Sequence, residues 1–152
     1  MNDPNGFSDY KGEHHLFFQY YPYETRWNSM HWGHAKSSDF LHWEYLPAAM
    51  APDQDYDDFG VFSGSAIVKD GKQYLLYTGV KIIDGEEHQT QCLAVGDGLN
   101  YEKAPENPVI PASLLPEGYD QRNFRDPKVW KDGNLYYVIV GCCAEENGGE
   151  AA

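Results

Sequence analysis

The sequence predicts an all-β fold. Its 152 residues are divided by Gly, Pro, Asn and Asp into short apolar runs rich in Tyr, Phe, Val and Ile, which are typical of strands and hairpins. No stretch keeps apolar residues at helical spacing for more than a single turn. A repeat of about sixty residues also indicates that one structural unit recurs along the chain.

Three similar hairpins define this repeat. Each consists of a polar turn that contains glycine, followed by a strand rich in aromatic or branched residues. The turns are residues 9–12, 69–71 and 131–133, and the strands after them are residues 15–20, 74–79 and 135–141. The turn glycines Gly12, Gly71 and Gly133 are 59 and 62 residues apart, and each supplies the positive φ that a tight hairpin needs.

Further strands are predicted between the hairpins. They are residues 30–37 and 42–46 in the first repeat, and residues 89–95 and 101–103 in the second. A repeat of this length that is filled with short strands fits one four-stranded blade of a β-propeller. The chain is therefore expected to hold about two and a half blades of an incomplete propeller. A small β-sandwich with similar hairpins is the alternative that the pattern leaves open.

The composition is that of a globular, acidic protein. There are 24 acidic and 11 basic residues, and the formal charge of −13 argues against nucleic acid and anionic membranes as partners. No apolar run reaches the roughly 18 residues of a membrane-spanning helix. No signal peptide is visible at the first residue, and localisation stays open. The three cysteines do not form a disulfide framework and are expected to be small buried residues.

A polar cluster precedes each hairpin, at residues 2–6, 62–65 and 124–127. Equivalent positions of successive blades converge at the axis of a propeller, so Asp3 and Asp126 are expected to meet in one pocket. Enzymes that cleave glycosidic bonds use two carboxyl groups that face a common cavity. The aromatic share of 15% agrees with a sugar ligand, because aromatic rings pack against the C–H faces of sugars.

The motifs of the chain carry a more specific signal. The first is Met-Asn-Asp-Pro-Asn-Gly at residues 1–6, and the last is Arg-Asp-Pro-Lys-Val-Trp at residues 125–130. Between them lie the motifs at 18–20, 27, 30–35, 39–43, 46–47, 51–53, 62–65, 77–79, 91–94 and 107–110. In this order, and over nearly the whole chain, they resemble glycoside hydrolase family 32, the β-fructofuranosidases of the invertase, sucrose-6-phosphate hydrolase and inulinase type.

The resemblance implies a five-bladed propeller with a funnel-shaped pocket, followed by a β-sandwich domain. It also implies a retaining glycosidase that cleaves terminal β-D-fructofuranosyl bonds of sucrose or a related fructoside. Asp3 holds the position of the nucleophile, and Asp126 that of a residue that binds the fructose hydroxyls and stabilises the transition state. The positions that line the fructose subsite are Asn2, Gln19, Trp27, Phe62, Ser63 and Arg125.

The general acid of the family is a Glu in a Glu-Cys motif, one repeat after Arg-Asp-Pro. That spacing predicts its position about fifty to sixty residues beyond Asp126, past residue 152. Glu145 and Glu146 lie too early and are interpreted as a solvated turn. Residues 1–152 are therefore expected to be the N-terminal part of the propeller domain, without the C-terminal β-sandwich and without useful activity on their own.

Several alternatives stay open. Fructosyltransferases share the same motifs, and a non-catalytic sugar-binding propeller is a different class that would keep the aromatic residues. Sucrose, phosphorylated sucrose, inulin and levan are all candidate substrates, and Arg26, Lys36 and Arg122 are candidates for binding a phosphate. No cofactor is expected. Metal binding is not favoured, because His31 and His34 are three apart in a predicted strand and point to opposite faces. The oligomeric state is undetermined.

Overall fold

The computed structural model describes residues 2–144 and 150–151, and nearly all of their regular structure is β-strand. The first sheet contains β1 (Asn2–Tyr10), β2 (Glu13–Tyr20), β3 (His31–Ser37) and β4 (Glu44–Met50). The second contains β5 (Gly60–Lys69), β6 (Lys72–Ile83), β7 (Glu86–Gly96) and β8 (Tyr101–Lys103). The third contains β9 (Arg125–Asp132), β10 (Leu135–Cys142) and β11 (Glu150–Ala151).

Each sheet is an antiparallel meander in which strands adjacent in sequence are also adjacent in space. The first strand of each sheet packs against the first strand of the next, β1 against β5 and β5 against β9. Such packing of equivalent strands is the arrangement of propeller blades around an axis. The predicted propeller blades are confirmed, and the β-sandwich alternative is wrong. The described helices are two 3-10 turns, Ala112–Leu114 and Gln121–Asn123, and no described helix is long and apolar enough to cross a membrane.

One predicted strand, β4, begins and ends later than expected. The prediction was residues 42–46, whereas the strand spans Glu44–Met50. Asp39 explains the late start, because its carboxylate accepts hydrogen bonds from the backbone amides of Leu41 and His42. These bonds hold both residues in a turn and out of the ladder.

Two kinds of glycine shape the sheets. Gly12 and Gly71 have φ of +85° and +73°, and the residue before each is also at positive φ, as a type I′ hairpin requires. Gly64 allows a close approach of strands, because a Cβ at this position would lie 2.0 Å from the carbonyl oxygen of Leu76. Only a residue without a Cβ lets β5 and β6 pair at this point.

The main hydrophobic core lies between the first and second sheets. Its buried members are Phe17, Trp32, Met50, Val61, Leu75, Tyr77, Cys92 and Ala94. Burial of each large side chain among them stabilises the contact by about 2 kcal/mol. A smaller cluster contains Phe124, Val140 and Cys142. Cys92 and Cys142 are buried and Cys143 is half-buried, which confirms the interpretation of the cysteines as small buried residues for the first two.

Candidate active site

A β-bulge interrupts the first strand of every sheet at a predicted site residue. The extra residue is Asp3 in β1 and Ser63 in β5, and in β9 it is one of the pair Asp126 and Pro127. A bulge bends its strand and re-aims the side chains that it contains. Asp3, Ser63 and Asp126 all line one cavity, so the three equivalent positions converge as the repeat predicts.

This cavity has a volume of about 340 Å³. Its lining residues are Asn2, Asp3, Gln19, Trp27, Phe62, Ser63, Glu87, Gln89, Arg125 and Asp126. All eight residues predicted for the site belong to this set, although up to 124 positions separate them in the sequence. Their common location is observed, whereas their roles in binding and catalysis stay predictions.

The two aspartates of the cavity have different surroundings. Asp3 accepts a hydrogen bond from Ser63, with 3.3 Å between Oγ and Oδ2. Nε of Arg125 lies 3.9 Å from Oδ2 of Asp126. Partial burial raises the pKa of Asp126, the guanidinium of Arg125 opposes this shift, and the negative charge of Asp3 adds to it. The charge of Asp3 therefore acts on the carboxyl group of Asp126.

The backbone around Asp126 is bound from the second blade. Asp126 has φ of +62°, a left-handed conformation that residues with a Cβ adopt rarely. Its amide donates a hydrogen bond of 3.1 Å to Oγ1 of Thr78. On its other side, the buried hydroxyl of Ser65 donates to the carbonyl of Pro127 at 2.7 Å and accepts from the amide of Val129 at 2.9 Å. Side chains of the second sheet thus hold the bulge of the third.

Arg125 is anchored by its own neighbours. Its Nη1 donates hydrogen bonds to Oδ1 of Asn123 at 2.8 Å and to the carbonyl of Arg122 at 3.3 Å. The same atom lies 3.5 Å from Oε1 of Gln89. These contacts place the permanent charge of the guanidinium next to Asp126.

An aromatic wall closes one side of the cavity. The ring centroids of Trp27 and Phe62 are 5.7 Å apart, and Phe59 lies 6.2 Å from Trp27 behind them. Trp27 is 55% exposed, so that much of its ring is free to contact a ligand. Gln19 is buried, and its Nε2 donates to the carbonyl of Val61 at 3.1 Å. The site therefore combines an apolar ring surface with fixed polar groups.

Three residues of the site were not predicted from the sequence. Glu87 and Gln89 line the cavity from β7, and Phe59 packs against Trp27. A signal for the first two was present: in an antiparallel meander the first and third strands begin at the same end of the sheet. The start of β7 therefore lies near the start of β5, which carries Ser63.

The basic residues considered for a phosphate are not among the described residues that line the cavity. Their ion-pair partners include Glu24 for Arg26, Glu13 and Glu44 for Lys36, and Asp120 and Glu86 for Arg122. Glu145 and Glu146 lie outside the described residues, so the turn predicted there stays a prediction.

Comparison with known proteins supports the family. Residues 1–152 match the family model described as the Glycosyl hydrolases family 32 N-terminal domain. A sucrose-6-phosphate hydrolase of Zymomonas mobilis is 44% identical over 146 residues, which are 93% of this chain and 28% of that protein. The chain thus spans less than a third of the length of this relative.

Solved structures give the same result. A family 32 β-fructofuranosidase of Bombyx mori is 44% identical, with a TM-score of 0.85 over 97% of this chain and 31% of that one. A mutant of the same enzyme has been solved in complex with sucrose. The sucrose-6-phosphate hydrolase of Lactobacillus gasseri is 37% identical, with a TM-score of 0.88 over 99% of this chain and 30% of that one. The blade architecture, the composition of the cavity and the family model agree, and the chain belongs to glycoside hydrolase family 32.

Proposed function

We propose that the protein is the N-terminal part of a retaining β-fructofuranosidase, which cleaves terminal β-D-fructofuranosyl bonds of sucrose or a related fructoside. The observation that carries this proposal is the presence of Asp3 and Asp126 in one cavity, with Arg125 and an aromatic wall beside them. The sucrose complex of the related Bombyx mori enzyme supports the substrate class.

Asp3 is the nucleophile in this mechanism. Its ionised carboxylate attacks the anomeric carbon of the fructosyl residue and forms an ester bond, while the bond from that carbon to the leaving-group oxygen breaks. The hydrogen bond from Ser63 restricts the orientation of the attacking carboxylate. A water molecule then attacks the same carbon and gives one proton to the deprotonated general acid, and the carbon–oxygen bond to Asp3 breaks, which releases fructose and restores the carboxylate.

Asp126 stabilises the transition state. The fructosyl ring gains positive charge as the leaving group departs, and a nearby carboxylate lowers the energy of this oxocarbenium-like state. Asp126 also accepts hydrogen bonds from fructose hydroxyls. Burial raises the pKa of Asp126, and the adjacent charge of Arg125 counteracts that shift and favours the ionised form.

The remaining lining residues bind the sugar. Trp27 and Phe62 pack against its apolar C–H faces, as aromatic rings do in sugar sites. Asn2 and Gln19 supply amide groups for its hydroxyls. Together these side chains orient the fructosyl residue, and the proposed steps use no metal or cofactor.

A general acid is still required to protonate the leaving-group oxygen, and in a retaining enzyme it lies about 5 Å from the nucleophile. Glu87 lines the cavity and accepts a hydrogen bond of 3.2 Å from Gln89, but the residue after it is His88, so it does not form the Glu-Cys motif that the resemblance implies for the acid. We place the acid in a Glu-Cys motif that follows residue 152 in a longer protein, in the repeat after Asp126. The chain then corresponds to the first part of a propeller that precedes a β-sandwich.

The test uses the full-length gene product with sucrose as substrate. Asp3→Asn is expected to lower kcat by about four orders of magnitude, because an amide does not form the ester. Mass spectrometry of acid-quenched wild-type enzyme is expected to find one fructosyl group on the peptide that contains Asp3. Asp9→Asn is the matched control, since it changes an aspartate of the same strand outside the cavity lining. Undiminished fructose release by Asp3→Asn would refute the assignment.

A further inference from the structure

Three polar side chains are buried inside the second blade. Thr78 and Gln91 are 0% exposed and Gln89 is 1% exposed. Thr78 and Gln91 pair directly across β6 and β7, and Gln89 lies two residues before Gln91, on the same face of the sheet. Burial of such groups destabilises a fold unless each of them finds hydrogen-bond partners.

Their partners lie in the turn that enters the third blade. Gln91 donates from Nε2 to the carbonyl of Phe124 at 2.7 Å, and Oε1 of Gln89 accepts from the amide of Phe124 at 3.1 Å. Thr78 donates to Oε1 of Gln91 at 2.9 Å, and its Oγ1 accepts from the amide of Asp126 at 3.1 Å. Both backbone groups of Phe124 and the amide of Asp126 are thus bound by the second blade.

This turn needs support from outside its own strand. Asp126 has a positive φ of +62°, a conformation that residues with a Cβ adopt rarely even though aspartate tolerates it better than most. The pairing of β9 with β10 is also interrupted here, since the ladder jumps from Arg125 to Lys128. Neither local propensity nor the strand ladder therefore fixes the direction in which the carboxylate of Asp126 points.

We infer that Thr78, Gln89 and Gln91 are positioning residues of the reaction. They fix the backbone of residues 124–126, so that Asp126 and the adjacent guanidinium face the fructosyl residue. This role rests on the proposed function, because it acts through a residue assigned to the transition state. Thr78 is the central member, since its hydroxyl connects the amide of Asp126 to Gln91.

The test is a double-mutant cycle in the full-length protein. Thr78→Val keeps the shape of the side chain and removes the acceptor of the Asp126 amide. We expect kcat/KM for sucrose to fall about tenfold, because the amide of Asp126 loses its buried hydrogen bond. With Asp126→Ala already present, the same change is expected to lower kcat/KM less than about twofold, because the two residues act together. Thr78→Ser keeps the hydroxyl and is expected to retain the wild-type kcat/KM.

Thr90→Val is the matched control. Thr90 lies on β7, next to Gln89 and Gln91, and its hydroxyl donates to the carbonyl of Ile110 at 3.1 Å instead of binding residues 124–126. It is expected to lower the melting temperature without changing kcat/KM. If Thr78→Val does not fold, Gln91→Met breaks the same network and replaces it in the cycle.

Two outcomes overturn the positioning role. In the first, Thr78→Val lowers kcat/KM by the same factor in the wild-type and Asp126→Ala backgrounds. In the second, Thr90→Val lowers kcat/KM by the same factor as Thr78→Val. Failure of the proposed function gives a different result. In that case Asp126→Ala itself retains the kcat/KM of the wild type, or the full-length protein releases no fructose at all. Either result removes the transition-state role of Asp126 and the positioning role with it.

Discussion

Ser63 donates a hydrogen bond of 3.3 Å to Asp3 and thereby joins the first strand of one blade to the first strand of the next. The two residues are 60 positions apart, one repeat of the sequence, and each lies in a β-bulge. One structural position is therefore used for different chemistry in successive blades. It carries a carboxylate in the first blade and, in the second, a hydroxyl that donates to this carboxylate, while the bulge of the third blade contains Asp126.

Removal of this hydroxyl is expected to affect catalysis more than stability. Ser63→Ala leaves one oxygen of Asp3 without its donor, and a hydrogen bond to a charged group contributes about 1.5 kcal/mol. We expect kcat/KM of the full-length enzyme to fall about tenfold, with an unchanged melting temperature. Ser38→Ala, at an exposed serine of the β3–β4 connection, is the control for activity. A parallel loss of stability and activity would instead indicate a structural role for Ser63.

A buried ion pair fastens the segment that leads into β5. Asp57 is 0% exposed, Nζ of Lys103 lies 2.6 Å from its Oδ2, and the hydroxyl of Tyr77 donates to the same oxygen at 2.9 Å. Lys103→Met leaves a buried carboxylate without its cation. We expect a loss of about 3–5 kcal/mol in the free energy of unfolding, measured by urea denaturation.

The control for this prediction is the half-exposed pair of Lys36 and Glu13, whose atoms are 3.1 Å apart. Lys36→Met is expected to leave the free energy of unfolding nearly unchanged, because solvent already screens the pair. Similar effects of the two lysine substitutions would show that burial of Asp57 does not govern the result.

The buried His15–His34 pair predicts acid sensitivity. Burial, with smaller contributions from His15 and Lys36, lowers the pKa of His34 to about 3. Its pKa in the unfolded chain is about 6.5, so the unfolded state binds more protons between these two values. Stability is therefore fully present above pH 6.5 and is lost as the pH falls toward 3. The slope for this single group is at most about 1.4 kcal/mol per pH unit.

Urea unfolding between pH 4 and 8 measures this slope. His34→Gln removes the titrating group, and the loss of stability on acidification is expected to become shallower. His88→Gln is the control, since His88 contacts Gln121 in an exposed position. An unchanged pH dependence in His34→Gln would mean that other groups cause the acid sensitivity.

Much of the fold could be predicted because its signals are local. A glycine at positive φ between two strands closes a hairpin independently of its tertiary surroundings. The turns at Gly12 and Gly71 could therefore be predicted from the sequence. The eight predicted site residues were found because their motifs resemble those of a known family. The start of β4 was predicted wrongly, because side-chain capping by Asp39 competes with the apolar pattern.

By itself, the sequence determined the repeat, the hairpins and eight of the ten residues that line the cavity, since these follow from turn chemistry and from motifs. The tertiary structure decided which side chains of neighbouring blades meet. Only the packing of β5 and β7 against β9 brings Thr78, Gln89 and Gln91 to residues 124–126. Such contacts depend on register and on burial between distant segments, and a buried polar group becomes informative only when its partner is known.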